Sequence, residues 1–133
     1  MKRSWICASI FAVAATAALA DPIGEWRVAD GTAHIQITRC GGQTICGKIA
    51  WTSDPGVDEN NPDPRQRGRK LLGLPILTVK PNGANQWTGT IYNARDGQNY
   101  AASLAMRSEK VLRLEGCVNG TNICGGEDWT RVR

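Results

Sequence analysis

From Gly24 onward the chain alternates apolar and polar residues in short runs, and Gly, Asn, Asp and Pro recur between the runs. Alternation with a period of two marks half-buried β-strands, and the breakers between runs mark turns. Trp26 and Val28 alternate with Glu25 and Arg27. Asp30-Gly31 suits a two-residue hairpin. Counting back from it pairs Trp26 with Ile35 and Val28 with Ala33. Ile37 joins that face, while His34, Gln36 and Thr38 point away. The next run puts Ile45, Gly47, Ile49 and Trp51 on one face and Cys46, Lys48 and Ala50 on the other.

The second half follows the same rule. Asp96-Gly97 is another two-residue turn signal. It pairs Asn93 with Tyr100, Ile91 with Ala102, Gly89 with Leu104 and Trp87 with Met106. Thr88, Thr90, Ser103 and Arg107 fall on the opposite face. A three-residue loop at Ser108-Glu109-Lys110 keeps Leu112 and Leu114 on the apolar side. A one-residue slip would turn every side chain over, so parity fixes which residues face inward. About eight short strands with one apolar face predict an all-β fold, a single antiparallel up-and-down barrel. An open β-sandwich is the alternative. Helical periodicity is absent from residues 21–133, apart from a short turn expected around Gly68 to Gly73.

The first twenty residues read differently. Lys2 and Arg3 precede an apolar run from Trp5 to Ala15, and Ala18-Leu19-Ala20 gives a small-x-small cleavage site before Asp21. That is the layout of a secretory signal peptide, and the run is short for a membrane span of about 20 residues. Cys7 lacks the preceding small residues of a lipid-attachment site. Residues 1–20 are therefore expected to be removed, leaving 21–133 as one domain in the periplasm. The formal charge of +4 includes Lys2 and Arg3 with no acid beside them, so about +2 remains. A domain of this size buries roughly two-thirds of its unfolded surface.

Four of the five cysteines form two close pairs, Cys40/Cys46 and Cys117/Cys124. Zinc sites use tighter spacings together with histidine, and His34 is the single histidine. Four cysteines allow three disulfide pairings. The two local loops are favoured, since each brackets a glycine-containing turn. Each would contribute about 2–2.5 kcal/mol by chain entropy.

Gly24-x-Trp26 at the start and Arg131 near the end form a pattern seen in lipocalins, where the guanidinium packs over the indole and closes one end of the barrel. The one long polar excursion is Asp54 to Lys70, with acids first and bases last. Long loops in compact domains are often functional. Within it, Asn61-Pro62-Asp63-Pro64 is followed by Arg65 and Arg67. Further along come Leu72-Gly73-Leu74-Pro75-Ile76-Leu77, Ile91-Tyr92, Asp96-Gly97, Tyr100 and Trp129-Thr130-Arg131. With Arg39-Cys40-Gly41-Gly42 and Cys46-Gly47, these resemble domain-of-unknown-function family 2147, a group of small exported bacterial proteins. The resemblance spans nearly all of residues 21–133 and implies a lipocalin-like barrel and a periplasmic address. It implies no activity. Asn93-Ala94 stands where the family pattern tends to show Asp-Pro, which argues against a role needing a carboxylate at 93.

No catalytic constellation is evident. His34 is expected to face outward without a nucleophile. Asp58, Glu59 and Asp63 would stay ionised on a loop, where general acid catalysis is poorly served. Asp54, Asp58, Asn60, Asn61 and Asp63 offer oxygens for calcium, but their spacing does not match a standard calcium loop. Neither a metal nor a cofactor is called for. The basic run Arg65, Arg67, Arg69 and Lys70 suits an anionic surface, blunted by the acids beside it. Nucleic acid is a poor partner for an exported chain.

Two functions remain. One is binding of a small apolar or amphipathic molecule in or at the mouth of the barrel, with Tyr92, Asn93, Tyr100, Asn61, Asp63, Arg65 and Arg67 near the ligand. The other is an envelope interaction module with a filled barrel, contacting a protein, anionic lipid or polysaccharide through loop 54–70. Composition leaves the oligomeric state open.

Overall fold

The computed structural model describes residues 4, 7–10 and 21–133. The signal-peptide reading rests mostly on positions outside these residues. Eight strands follow one another: β1 (Gly24–Arg27), β2 (Ala33–Gly41), β3 (Thr44–Thr52), β4 (Pro75–Pro81), β5 (Gln86–Asn93), β6 (Gln98–Ser108), β7 (Val111–Cys117) and β8 (Cys124–Arg131). Each pairs antiparallel with the next, and β8 pairs back onto β1, so the sheet closes into an up-and-down barrel. The predicted fold class is observed, and the sandwich alternative is excluded.

Trp26 lies opposite Ile35, as the Asp30-Gly31 turn predicts. The inward rows of all eight strands then form one core. Trp26, Ile35, Ile37, Val79, Leu104, Leu112 and Trp129 are buried in it.

Three details depart from the sequence reading. The first is Trp51, which is exposed and stacks at 4.9 Å against His34 on the outside. In β3, Ile49 faces Ile35 while Trp51 faces His34, so Ala50 is an extra residue. Such a bulge reverses the parity beyond it. The second is the β5–β6 pairing, where Ile91 faces Tyr100 and Trp87 faces Leu104. The connecting loop holds four residues, Ala94 to Gly97, rather than two. A shift of two positions leaves the faces unchanged, so the apolar row still points inward. The third is the β6–β7 connection. Ser108 pairs with Val111 across a two-residue loop, and the extra residue is a bulge at Arg107. Leu112 thereby stands opposite Met106, as the three-residue loop was meant to ensure.

A hydrogen-bonded turn lies within the expected stretch, from Leu74 N to the Leu71 carbonyl at 3.0 Å, and a 3-10 turn capped by Asp63 precedes it at Pro64–Gln66. Both disulfides are local, Cys40 to Cys46 and Cys117 to Cys124.

Candidate functional site

The two ends of the barrel are built differently. One end gathers the chain near Asp21 and the β2–β3, β4–β5 and β6–β7 turns. There the Arg131 guanidinium lies 4.3 Å from the Trp26 ring centroid. It also donates to three backbone carbonyls, Nε to Glu109 at 2.6 Å, Nη1 to Ile23 at 2.9 Å and Nη2 to Asp21 at 2.7 Å. Trp26 Nε1 in turn donates to the Pro22 carbonyl at 2.8 Å. Trp26, Trp87, Ile37, Val79, Leu104 and Leu112, none of which borders the cavity, pack together in the core on this side.

The other half is hollow. A cavity of about 740 Å³ opens there. Ile35, Ile49, Ile91, Leu114 and Trp129 form its apolar wall. Small residues make the room. Gly116 pairs with Gly125 across β7 and β8, and both border the cavity. A methyl group on Gly125 would meet nothing within 4 Å, and one on Gly116 would touch only Tyr100 Cβ at 3.6 Å.

The rim comes from the long β3–β4 connection and the β1–β2 and β5–β6 loops. The long connection is organised around Asp58, which has no solvent exposure. Tyr92 donates its hydroxyl to Asp58 Oδ1 at 2.6 Å. Asn61 Nδ2 and Arg69 Nη2 donate to Asp58 Oδ2 at 2.8 and 3.0 Å. Burial alone would raise the Asp58 pKa, but the three donors together hold it below the usual carboxylate range. Burial, reinforced by the adjoining Asp58 charge, pushes the Tyr92 phenol up to about 12. The connection also docks on the β5–β6 loop. Asn60 Nδ2 donates to the Arg95 carbonyl at 3.0 Å. Gly97, at φ 70°, packs against the Asn60 carbonyl so tightly that a side chain would collide with it.

Across the mouth, Arg95 Nη2 donates to Asp30 Oδ2 at 2.8 Å and to Thr32 Oγ1 at 3.0 Å. This strap joins the β5–β6 loop to the β1–β2 loop. The Thr32 hydroxyl, then Arg95, hold the Asp30 carboxyl well below its ordinary range.

The sequence-derived site residues divide into two sets. Tyr92, Asn93 and Tyr100 border the cavity. Tyr92 does so while anchoring Asp58, and the Asn93 side chain accepts from Arg95 N at 2.9 Å to shape its turn. Tyr100 donates its hydroxyl to Asp96, which raises the phenol pKa. Asn61, Asp63, Arg65 and Arg67 do not border the cavity; they build the loop. Asp63 N lies 2.9 Å from Asn61 Oδ1, Asp63 accepts from Arg65 N, and Arg67 Nε donates to the Asn61 carbonyl at 2.8 Å. The hydrogen bond from Arg65 holds the Asp63 carboxyl below its ordinary range.

The five oxygen residues weighed for calcium are not brought together as ligands. Asp58, Asn61 and Asp63 spend their oxygens on the loop itself, and no group of three or more His, Cys, Asp or Glu among the described residues is placed to hold a metal. His34 lies 3.2 Å from Glu25 on the outer wall, away from the cavity.

Sequence reasoning missed Arg95, Glu127, Gly116, Gly125 and Trp129 as cavity residues. The signal for Glu127 was available, because it stands two positions before Trp129 on β8 and shares its inward parity.

A closed eight-stranded barrel, plugged at one end and hollow at the other, has the architecture of a lipocalin-like protein. The family model for an uncharacterized protein conserved in bacteria, domain-of-unknown-function family 2147, matches residues 24–131, and the chain belongs to that family. Among solved structures, the chain is similar to protein HP1028 from Helicobacter pylori, described as belonging to the lipocalin family. That match has a TM-score of 0.75 and 18% identity, over 85% of this chain and 84% of the other. A redesigned β-barrel is also similar, with a TM-score of 0.50 and 16% identity, over 84% of this chain and 91% of the other. At these identities the likeness is one of fold. Comparison with curated proteins finds no match.

Proposed function

We propose that the protein is an exported, non-catalytic binding protein that holds a small, partly apolar molecule in the hollow half of its barrel. The carrying observation is the cavity of about 740 Å³ above a filled lower half. Small-molecule sites typically enclose about 300–1,000 Å³ with mostly apolar walls and a few polar groups. This cavity has that composition, with Tyr100, Asn93 and Glu127 set among isoleucine, leucine and tryptophan. The wall is largely preformed, which lowers the ordering cost of binding.

Catalysis finds no support in the arrangement. Asp58 and Asp63 are held ionised by loop donors, and His34 sits on the outer wall. Export is supported by the two disulfides, which persist in oxidising compartments such as the periplasm.

A second reading has its own observation. Val57, Leu72, Val118 and Ile123 are exposed apolar residues on the loops of the hollow end. They support docking of that end, loop 54–70 included, on an envelope protein, an anionic lipid or a polysaccharide.

Titration with an uncharged aminoanthracene dye tests the binding reading. Saturable one-to-one binding with energy transfer from Trp129 is expected. A dye signal that stays linear with concentration would overturn the reading and leave docking as the function.

A further inference from the structure

We propose that the barrel's ligand is an amphipathic molecule with a positively charged head, its apolar body in the hollow half and its head against Glu127. The inference rests on the binding reading above and adds the charge class of the ligand.

The charges around the cavity are lopsided. Its lining carries four carboxylates, Asp30, Asp54, Glu59 and Glu127, and one cation, Arg95. Arg95 is already paired with Asp30 at 2.8 Å. Asp54, Glu59 and Glu127 have no cationic partner among the described residues. This excess runs against the balance of the chain as a whole, whose formal net charge is +4. The basic run of the long loop does not compensate, since Arg65, Arg67, Arg69 and Lys70 all lie outside the lining. Arg65, Arg67 and Arg69 are engaged with Asp63, Asn61 and Asp58.

Glu127 is the carboxylate built into the wall itself. β1 and β8 share only two register positions, Trp26 with Arg131 and Arg27 with Thr130. Beyond them the strands part, and a second opening of about 620 Å³ lies between Ala29 and Glu127. Glu127 Oε2 accepts from the Ala29 backbone N–H at 2.8 Å across that gap. The carboxylate is thereby held in place where both openings meet, and Oε1 has no protein donor among the described residues. Tyr100 and Trp129 border the same space, and aromatic faces attract cations as well. Arg27 borders the second opening, but across the two openings the carboxylates Asp30, Asp54, Glu59, Glu127 and Asp128 outnumber the cations Arg27 and Arg95, and Arg95 is already paired, so an anionic head would meet mostly like charge there.

The test is isothermal titration calorimetry with three probes of equal chain length: decyltrimethylammonium, decyl sulfate and decanol, all below micellar concentrations. The ammonium is expected to bind at least tenfold more tightly than the sulfate, with decanol between them. Glu127→Gln keeps an oxygen for the Ala29 N–H and is expected to remove most of that preference while decanol still binds. The pair Asp54→Asn and Glu59→Gln, both on the loop, is expected to reduce the same ratio at least twofold. Sulfate binding as tightly as ammonium would overturn the charge assignment and leave the binding reading intact. An unchanged ratio in both variants would overturn it as well. Binding of none of the three probes would overturn both readings.

Discussion

The guanidinium of Arg131 lies over the ring of Trp26, 4.3 Å from its centroid, at one of the two positions where the first and last strands of the barrel meet in register. The same side chain donates to the carbonyls of Asp21, Ile23 and Glu109. One residue therefore joins the N-terminal segment, the β6–β7 turn and the final strand. A cation–π contact of this kind contributes about 0.5–2 kcal/mol, and each hydrogen bond from a charged donor adds about 1.5 kcal/mol when its partner is buried, less when exposed. Arg131→Ala is expected to lower the melting temperature by about 10 °C in a thermal scan. Unchanged stability would show that the plug does not hold the barrel shut.

The rim of the cavity depends on Asp58. Its removal strands the Tyr92 hydroxyl and the Arg69 guanidinium, at a cost of about 2–3 kcal/mol to the loop. Asp58→Ala is expected to speed tryptic cleavage after Arg65 and Arg67 strongly, and Tyr92→Phe to speed it moderately. Cleavage at the wild-type rate would place the loop's order elsewhere.

Acid and alkali should loosen the same rim from opposite sides. The Asp58 pKa is lowered in the folded protein, so its contribution is present above the ordinary value of 3.8 and is lost as pH falls through the folded value. The Tyr92 pKa is raised from 10.0 to about 12, so its contribution is present below 10 and is lost as pH rises toward 12. Hydrogen-exchange protection in residues 54–70, taken relative to the intrinsic base-catalysed rate at each pH, should be high across the plateau and fall outside it. Tyr92→Phe should remove the alkaline limb and leave the acid limb. Two unchanged limbs in that variant would contradict the assignment.

The disulfides pin hairpins rather than distant strands. Each closes a loop of six or seven residues and contributes about 2–2.5 kcal/mol on the chain-entropy model. Reduction is expected to lower the melting temperature while the far-ultraviolet spectrum of the barrel persists at 25 °C. Collapse of that spectrum on reduction would mean that the core alone does not carry the fold.

Much of this architecture is legible in the chain because parity is a strong signal. Trp26 and Ile35 face each other as the Asp30-Gly31 turn requires. The bulge at Ala50 is not legible, since it changes no composition and only the observed position of Trp51 reveals it. The two-residue slip between β5 and β6 is silent for another reason: both registers bury the same apolar row. Asn61, Asp63, Arg65 and Arg67 were visible as a motif, but their work is to shape the loop. The bond between Asp58 and Tyr92 spans 34 positions and leaves no local pattern. The hollow was hidden because it is made by absence, through Gly116 and Gly125 meeting across two strands.

Those glycines give the most direct test. Neither requires a backbone conformation closed to other residues, and a side chain added at Gly125 would start into open space. Native mass spectrometry would compare wild-type protein with Gly125→Leu, both purified gently from the source bacterium. A discrete mass is expected on the wild type, lost on denaturation and missing from the variant, with both proteins equally folded. Wild-type protein with no added mass, or the same added mass on both, would contradict a ligand seated in the barrel.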